Sequence, residues 1–170
     1  MKPFVVNVAD LVYKPGARRR ERVEGRLPGP IIVVDSALRT EVPVVVDTVL
    51  EWVSDGLLAT GTVEGAWEGP CRRCLRPVQG ALHVDVQELF ESTPRDGESY
   101  PLGHDRVDLE PLARESLILD LPLAPVCSED CRGLCPACGA DLNAGDCGCP
   151  PAGADVRWAA LDVLRLSGDE

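Results

Sequence analysis

Apolar residues in this chain gather into short β-branched runs through the first half and a helical stripe in the second. Phe4-Val5-Val6 and Leu11-Val12 open the series. Residues 14–30 (KPGARRRERVEGRLPGP) follow, rich in Pro, Gly and Arg, and predict a mobile loop. Ile31–Val34 is the next strand candidate. Val42–Val53 is a long β-branched run whose Pro43 lies near its start, where a strand tolerates a missing donor. The turn Ser54-Asp55-Gly56 leads into Leu57–Trp67, and Val78–Phe90 returns with Leu82, Val84 and Val86 on one face. Such runs joined by tight turns predict an antiparallel β-meander. Residues 91–107 predict an exposed loop. Asp108 then caps a helix over Leu109–Leu119, with Glu110 and Pro111 in its first turn and Leu121-Pro122 ending it. Asp155 caps a last helix, Val156–Leu166, with Val156, Ala160 and Val163 at helical spacing.

The predicted fold class is α+β: the meander packed with one or two helices, and a C-terminal zinc-ribbon-like module. Two units are expected, a core over residues 1–126 and a cysteine-rich module over 127–170 with its closing helix. At 170 residues the chain buries one modest core plus a small metal-stapled appendage. Its 15 prolines and 16 glycines fit many turns and little long helix.

Formal charge is −11 and unevenly placed. Residues 1–84 carry 11 Lys+Arg against 10 Asp+Glu, a balance of +1, while residues 85–170 carry 6 against 18, a balance of −12. Contact with nucleic acid is therefore expected from the first half, and a basic protein partner from the second. The N-terminus is broken by Asn7, Asp10 and Lys14, which leaves no signal-peptide apolar run and predicts a cytoplasmic protein. No stretch approaches the roughly 18 apolar residues of a membrane span.

Eight cysteines carry the chemistry. In a reducing compartment, thiols at short spacing bind metal more often than they cross-link. Cys135-Pro-Ala-Cys138-Gly is a zinc knuckle, its glycine free to take positive φ and aim amides at sulfur. Cys147 and Cys149 complete a four-thiolate site with Cys135 and Cys138. Cys71, Cys74, Cys127 and Cys131 remain for a second site, which would close a loop of about fifty residues. One or two Zn²⁺ ions are thus implied, each adding −2 with its four thiolates. Two alternatives stand beside this: a single zinc with one pair left as free thiols, and a grouping of Cys131, Cys135, Cys138 and Cys147.

Cys71 and Cys74 also admit a thiol redox reading, with Arg72, Arg73 and Arg76 lowering a thiol pKa, but no helix start lies there. His83 and His104 read as packing or surface residues. No Ser/His/Asp elbow, HExxH or phosphate loop is present, so neither an enzyme nor a small-molecule substrate is predicted. Lys14, Arg18, Arg19, Arg20 and Arg22 form one basic spot, and Arg72, Arg73 and Arg76 a second. Both are RNA-binding candidates, set against a solvated segment diluted by Glu21 and Glu24.

LVYKPGARRR, GPCRRCLRPV, the LPLAPVC–CRGLCPACGADLN run and the closing DVRWAALDVL together resemble the YceD-like family, also named for large ribosomal RNA subunit accumulation. The resemblance spans nearly the whole chain. It implies a non-enzymatic factor for build-up of large-subunit rRNA and ribosome assembly, with rRNA or a pre-ribosomal particle as partner. The +1/−12 charge split adds the expectation that the acidic half engages a basic ribosomal protein while the arginine spots touch rRNA. The readings from other classes are a cytosolic thiol redox protein and a zinc-ribbon adaptor outside translation.

Overall fold

The computed structural model describes residues 2–54, 56–150 and 157. The meander is its centre. Strands β5 (Val44–Val53), β6 (Gly56–Pro70) and β7 (Pro77–Glu91) run antiparallel in sequence order. β6 and β7 pair along their full length, from Gly56↔Glu91 to Pro70↔Pro77, a hairpin of about 50 Å at roughly 3.3 Å per residue. β5 covers the other side of β6 only from Gly56 to Glu64. Beyond it the short strand β4 (Ser36–Leu38) takes that edge at Trp67 and Glu68, followed outward by β3 (Ile32–Val33). The end of the hairpin thus extends past the main sheet and carries the Cys71–Cys74 turn.

Within the expected loop 14–30, residues Arg18–Gly25 form strand β2, paired with β5 from Arg18↔Glu51 to Gly25↔Val44. Its alternation is of charged residues rather than apolar ones, and it lies at the outer edge of the sheet. Edge strands are commonly charged because charge discourages further pairing, so the strand has no hydrophobic signature. The expected loop 91–107 likewise holds β8 (Tyr100–Pro101), parallel to the end of β7, and most of β9 (Arg106–Asp108). β9 pairs with β1 (Val5–Asn7), a ribbon joining segments about a hundred residues apart.

Alternation along the strands gives the sheet one apolar face. Val44, Val46, Leu50 and Trp52 of β5, Leu57, Ala59 and Val63 of β6, and Leu82, Val86 and Phe90 of β7 are buried there. Helix α1 (Glu110–Asp120) lays Leu112, Ala113 and Leu117 on this face, and Phe4, Val6, Val8, Val107 and Leu109 fill the space beside it. A Cβ at Gly65 would stand 3.2 Å from methyls of Leu117 and Leu38, so the missing side chain lets the helix approach the sheet. The helix begins one residue later than expected, yet Asp108 Oδ1 still accepts the Glu110 N–H at 3.0 Å. It ends where Leu121, extended ahead of Pro122, leaves the helical region. The last helix expected over Val156–Leu166 lies outside the described residues apart from Arg157.

Candidate metal centres

The eight sulfurs fall into two sets. Cys71, Cys74, Cys127 and Cys131 form one; Cys135, Cys138, Cys147 and Cys149 form the other, and within each set the four Sγ atoms lie within 4.8 Å of one another. In the first, Cys71–Cys131 is 3.9 Å and Cys74–Cys127 is 3.6 Å. A zinc–sulfur bond of about 2.3 Å sets the corners of a tetrahedron about 3.8 Å apart, whereas a disulfide needs about 2.05 Å. All eight cysteines are free thiols, so the donor set and spacing fit two ions held by four sulfurs each. The first cluster takes two ligands from each side of residue 126, tying the hairpin end to the segment after α1.

The two CxxC turns share one construction. At the second, Cys135 N–H donates to Ala140 O (2.8 Å), Gly139 N–H donates to Cys135 O (2.8 Å), and Gly139 has φ +73°. At the first, Cys71 N–H donates to Arg76 O (2.8 Å), Leu75 N–H donates to Cys71 O (2.9 Å), and Leu75 has φ +61°. Sequence reasoning recognised the knuckle with glycine in the left-handed position. It missed that Leu75 takes the same conformation.

Local amides set the protonation of the sulfurs. Burial opposes charge on Cys71, but backbone N–H groups of Cys74, Arg73 and Cys127 turn towards its sulfur and bring its pKa down to about 6. Cys135 falls to about 6 through the N–H groups of Cys138 and Ala137 and the Cys147 thiol. Opposite them, Cys127 is pushed up to about 12 by the neighbouring Cys131 and Cys74 sulfurs, and Cys149 to about 11 by Cys138 and Cys147. Each cluster readily takes a first negative charge and resists the next. A divalent cation relieves that conflict.

Asn143 has a role that its turn composition hid. Its Oδ1 accepts the Arg132 N–H (2.8 Å), and its Nδ2 donates to Asp141 (2.7 Å) and faces Cys131 Sγ at 3.6 Å. It therefore orients a sulfur of the first cluster from the loop that carries the second. Its place in the GADLN stretch was the available signal.

A family model described as "Large ribosomal RNA subunit accumulation protein YceD" matches residues 59–165, which hold most of the hairpin, the helix and all eight cysteines. The chain belongs to the YceD family. An uncharacterized protein of Mycobacterium tuberculosis is 36% identical over 179 aligned residues, covering 99% of this chain and 83% of that protein. One from Mycobacterium leprae is 31% identical, covering 96% and 79%. An Arabidopsis thaliana protein named "Large ribosomal RNA subunit accumulation protein YCED homolog 1, chloroplastic" is 29% identical over 105 residues, covering 52% of this chain and 33% of that protein. No solved structure matches the chain.

In this family member the two basic spots are not brought together. Arg22 pairs with Asp47, which pairs with Thr62 on β6, eight residues or about 27 Å of strand short of Pro70 at the hairpin end. Most of the basic side chains have protein partners. Arg20 and Arg22 bind Asp47 (2.8 and 3.1 Å), holding its carboxyl at about 2, with the Arg20 hydrogen bond the larger cause. Arg19 lies on the opposite face of β2 with Asp10 and Glu21. Lys14 Nζ donates to Asp10 O (2.9 Å). Arg73 donates to the carbonyls of Glu129 (2.8 Å) and Cys131 (3.0 Å), and Arg76 pairs with Asp141 (3.2 Å), so both fasten the first cluster. Arg18 and Arg72 point to solvent. Among the described residues no helix is long and apolar enough to cross a membrane.

Proposed function

We propose that this protein supports accumulation of large-subunit ribosomal RNA, as a non-enzymatic binding factor in assembly of the large ribosomal subunit. Membership of the YceD family carries the reading, because plant relatives bear that role in their names. The site chemistry agrees with it. Four protein sulfurs fill the shell of a zinc ion and leave no open position for a substrate, which is the character of a structural site. Two Zn²⁺ ions are then structural cofactors, with the ligand sets given above. The fold class becomes an α+β core carrying a zinc-ribbon-like module over 127–170, working in the cytoplasm where thiols stay reduced.

The partners are the large-subunit rRNA or its precursor particle, and a basic ribosomal protein facing the acidic second half. Arg18 and Arg72, whose side chains project freely, are the strongest RNA contacts among the basic candidates. A redox role for Cys71 and Cys74 draws on the lowered Cys71 pKa, but an exchanging thiol must be reachable, and Cys71 is 0% exposed. Gradient sedimentation of the tagged protein tests the proposal. It is expected in the fractions holding large-subunit precursors, and its depletion should lower the ratio of large- to small-subunit rRNA. A protein confined to the top of the gradient, with an unchanged ratio on depletion, contradicts it.

A further inference from the structure

The long hairpin leaves one flank of β7 open. From Pro77 to Leu89 this strand pairs with β6 on one side and with no strand on the other, among the described residues; β8 lies alongside only at Phe90 and Glu91. Every second residue of such an edge turns its N–H and C=O outward. Part of the edge, Val84–Glu88, forms one wall of a cleft of about 820 Å³, whose other walls are α1 and the loop Pro94–Pro101. Six carboxylates line it, from Asp85, Glu88, Asp96, Glu98, Glu115 and Asp120, against the single guanidinium of Arg95. That guanidinium is already paired with Glu91 (3.5 Å) and Glu98 (3.3 Å). Leu119, also lining the cleft, is 87% exposed.

We propose that this cleft binds an extended, Lys/Arg-rich segment of a partner protein, which adds as a strand to the free edge of β7. The wall of β7 spans about 17 Å, enough for five residues of strand. Backbone pairing supplies affinity that does not depend on sequence, and the walls supply the selection. Side chains of an added strand alternate between faces. On one face they meet Glu88, with Glu115 and Asp120 of α1; on the other they meet Asp85. Basic residues are thus accepted at both alternating positions, while a nucleic-acid backbone is repelled. β8 already lies on this edge as a parallel strand, and an incoming segment continues its line. The inference deepens the functional reading above by assigning a place and a chemistry to the basic protein partner, and it rests on that reading for the partner's ribosomal origin.

Fluorescence anisotropy on the full metal-loaded chain tests it, with a labelled eight-residue oligoarginine as probe. The Glu88→Lys/Asp120→Lys variant is expected to bind at least tenfold more weakly than wild type. The same charge change at Glu24→Lys/Asp35→Lys, both exposed and outside the cleft and the cysteine clusters, is expected to cost less than threefold. An oligoarginine N-methylated at every residue keeps its charge and loses its donors; it is expected to bind wild type at least tenfold more weakly. Equal weakening by the two variants, or equal affinity of the two peptides, overturns the inference. The peptide comparison needs no substitution and so stands whatever the variants do to folding. Failure of the ribosomal reading shows elsewhere, as wild-type protein absent from large-subunit precursor fractions, and leaves the oligoarginine comparison intact.

Discussion

Replacing Cys71 by serine tests the link between metal and fold. Cys71 is fully buried, and its sulfur sits 3.4 Å from the N–H groups of Arg73 and Cys127. The ion it would share ties Cys74 to Cys127, 53 residues apart, and Cys71 to Cys131, 60 apart. An unfolded chain that gathers the same four sulfurs loses the entropy of closing that loop, about 4 kcal/mol at 25 °C. The folded chain has closed it already, through the sheet and the bonds Arg72 N–H to Pro125 O and Leu134 N–H to Arg73 O. Metal at this site should therefore favour the folded state by about 4 kcal/mol, a ratio near 10³ in affinity. The other site spans only Cys135–Cys149, for which the same relation gives about 3 kcal/mol, and that stretch lies outside the sheet. Metal analysis and thermal unfolding of purified protein read the outcome. Cys71→Ser should hold one ion instead of two and lose about 10 °C in Tm. Cys138→Ser should lose the other ion with a clearly smaller shift. A Cys71→Ser protein that keeps both ions, or melts with wild type, refutes the reasoning.

Three further outcomes follow from particular side chains. Asp47 has its pKa lowered from 3.8 to about 2 in the folded state, so its contribution is complete above pH 3.8 and lost as pH falls through about 2; denaturant midpoints of wild type should drop towards those of Asp47→Asn over that window. Leu117→Ala, at a fully buried position over Gly65, should cost about 2–5 kcal/mol in chemical denaturation. Leu75 is 64% exposed at φ +61°, so Leu75→Gly removes a left-handed strain of about 1–2 kcal/mol and little burial, and should leave stability unchanged or higher by the same measurement.

The meander and its helix were legible because their apolar residues repeat at the period of the element they form. Val44 to Trp52 alternates towards the core, and Leu112, Ala113 and Leu117 lie on one side of α1. Strand β2 was hidden because its alternation is of charges, and what holds it is its ladder with β5, joined by the Asp47 pairs of Arg20 and Arg22, a partner strand that no local window contains. The β1–β9 ribbon escaped for a related reason: three-residue strands carry almost no pattern of their own, and their partners lie at the far end of the fold. Spacing suggested which cysteines would gather, and the structure brings those two sets of sulfurs together. Spacing could not reveal the shared turn at Leu75, since a leucine in the left-handed region breaks the rule by which such turns are recognised. Nor could it reveal that Arg73 and Arg76 face the cluster; arginine beside a CxxC reads equally as a nucleic-acid contact until the carbonyls of Glu129 and Cys131 are in place.

X-ray absorption at the zinc edge of the purified protein addresses the two proposed centres most directly. Two equivalents of zinc per chain, each surrounded by four sulfurs at about 2.3 Å with no oxygen or nitrogen in the shell, is the result expected. Fewer than two equivalents, or a mixed sulfur and oxygen shell, would contradict the assignment of all eight cysteines to two closed sites.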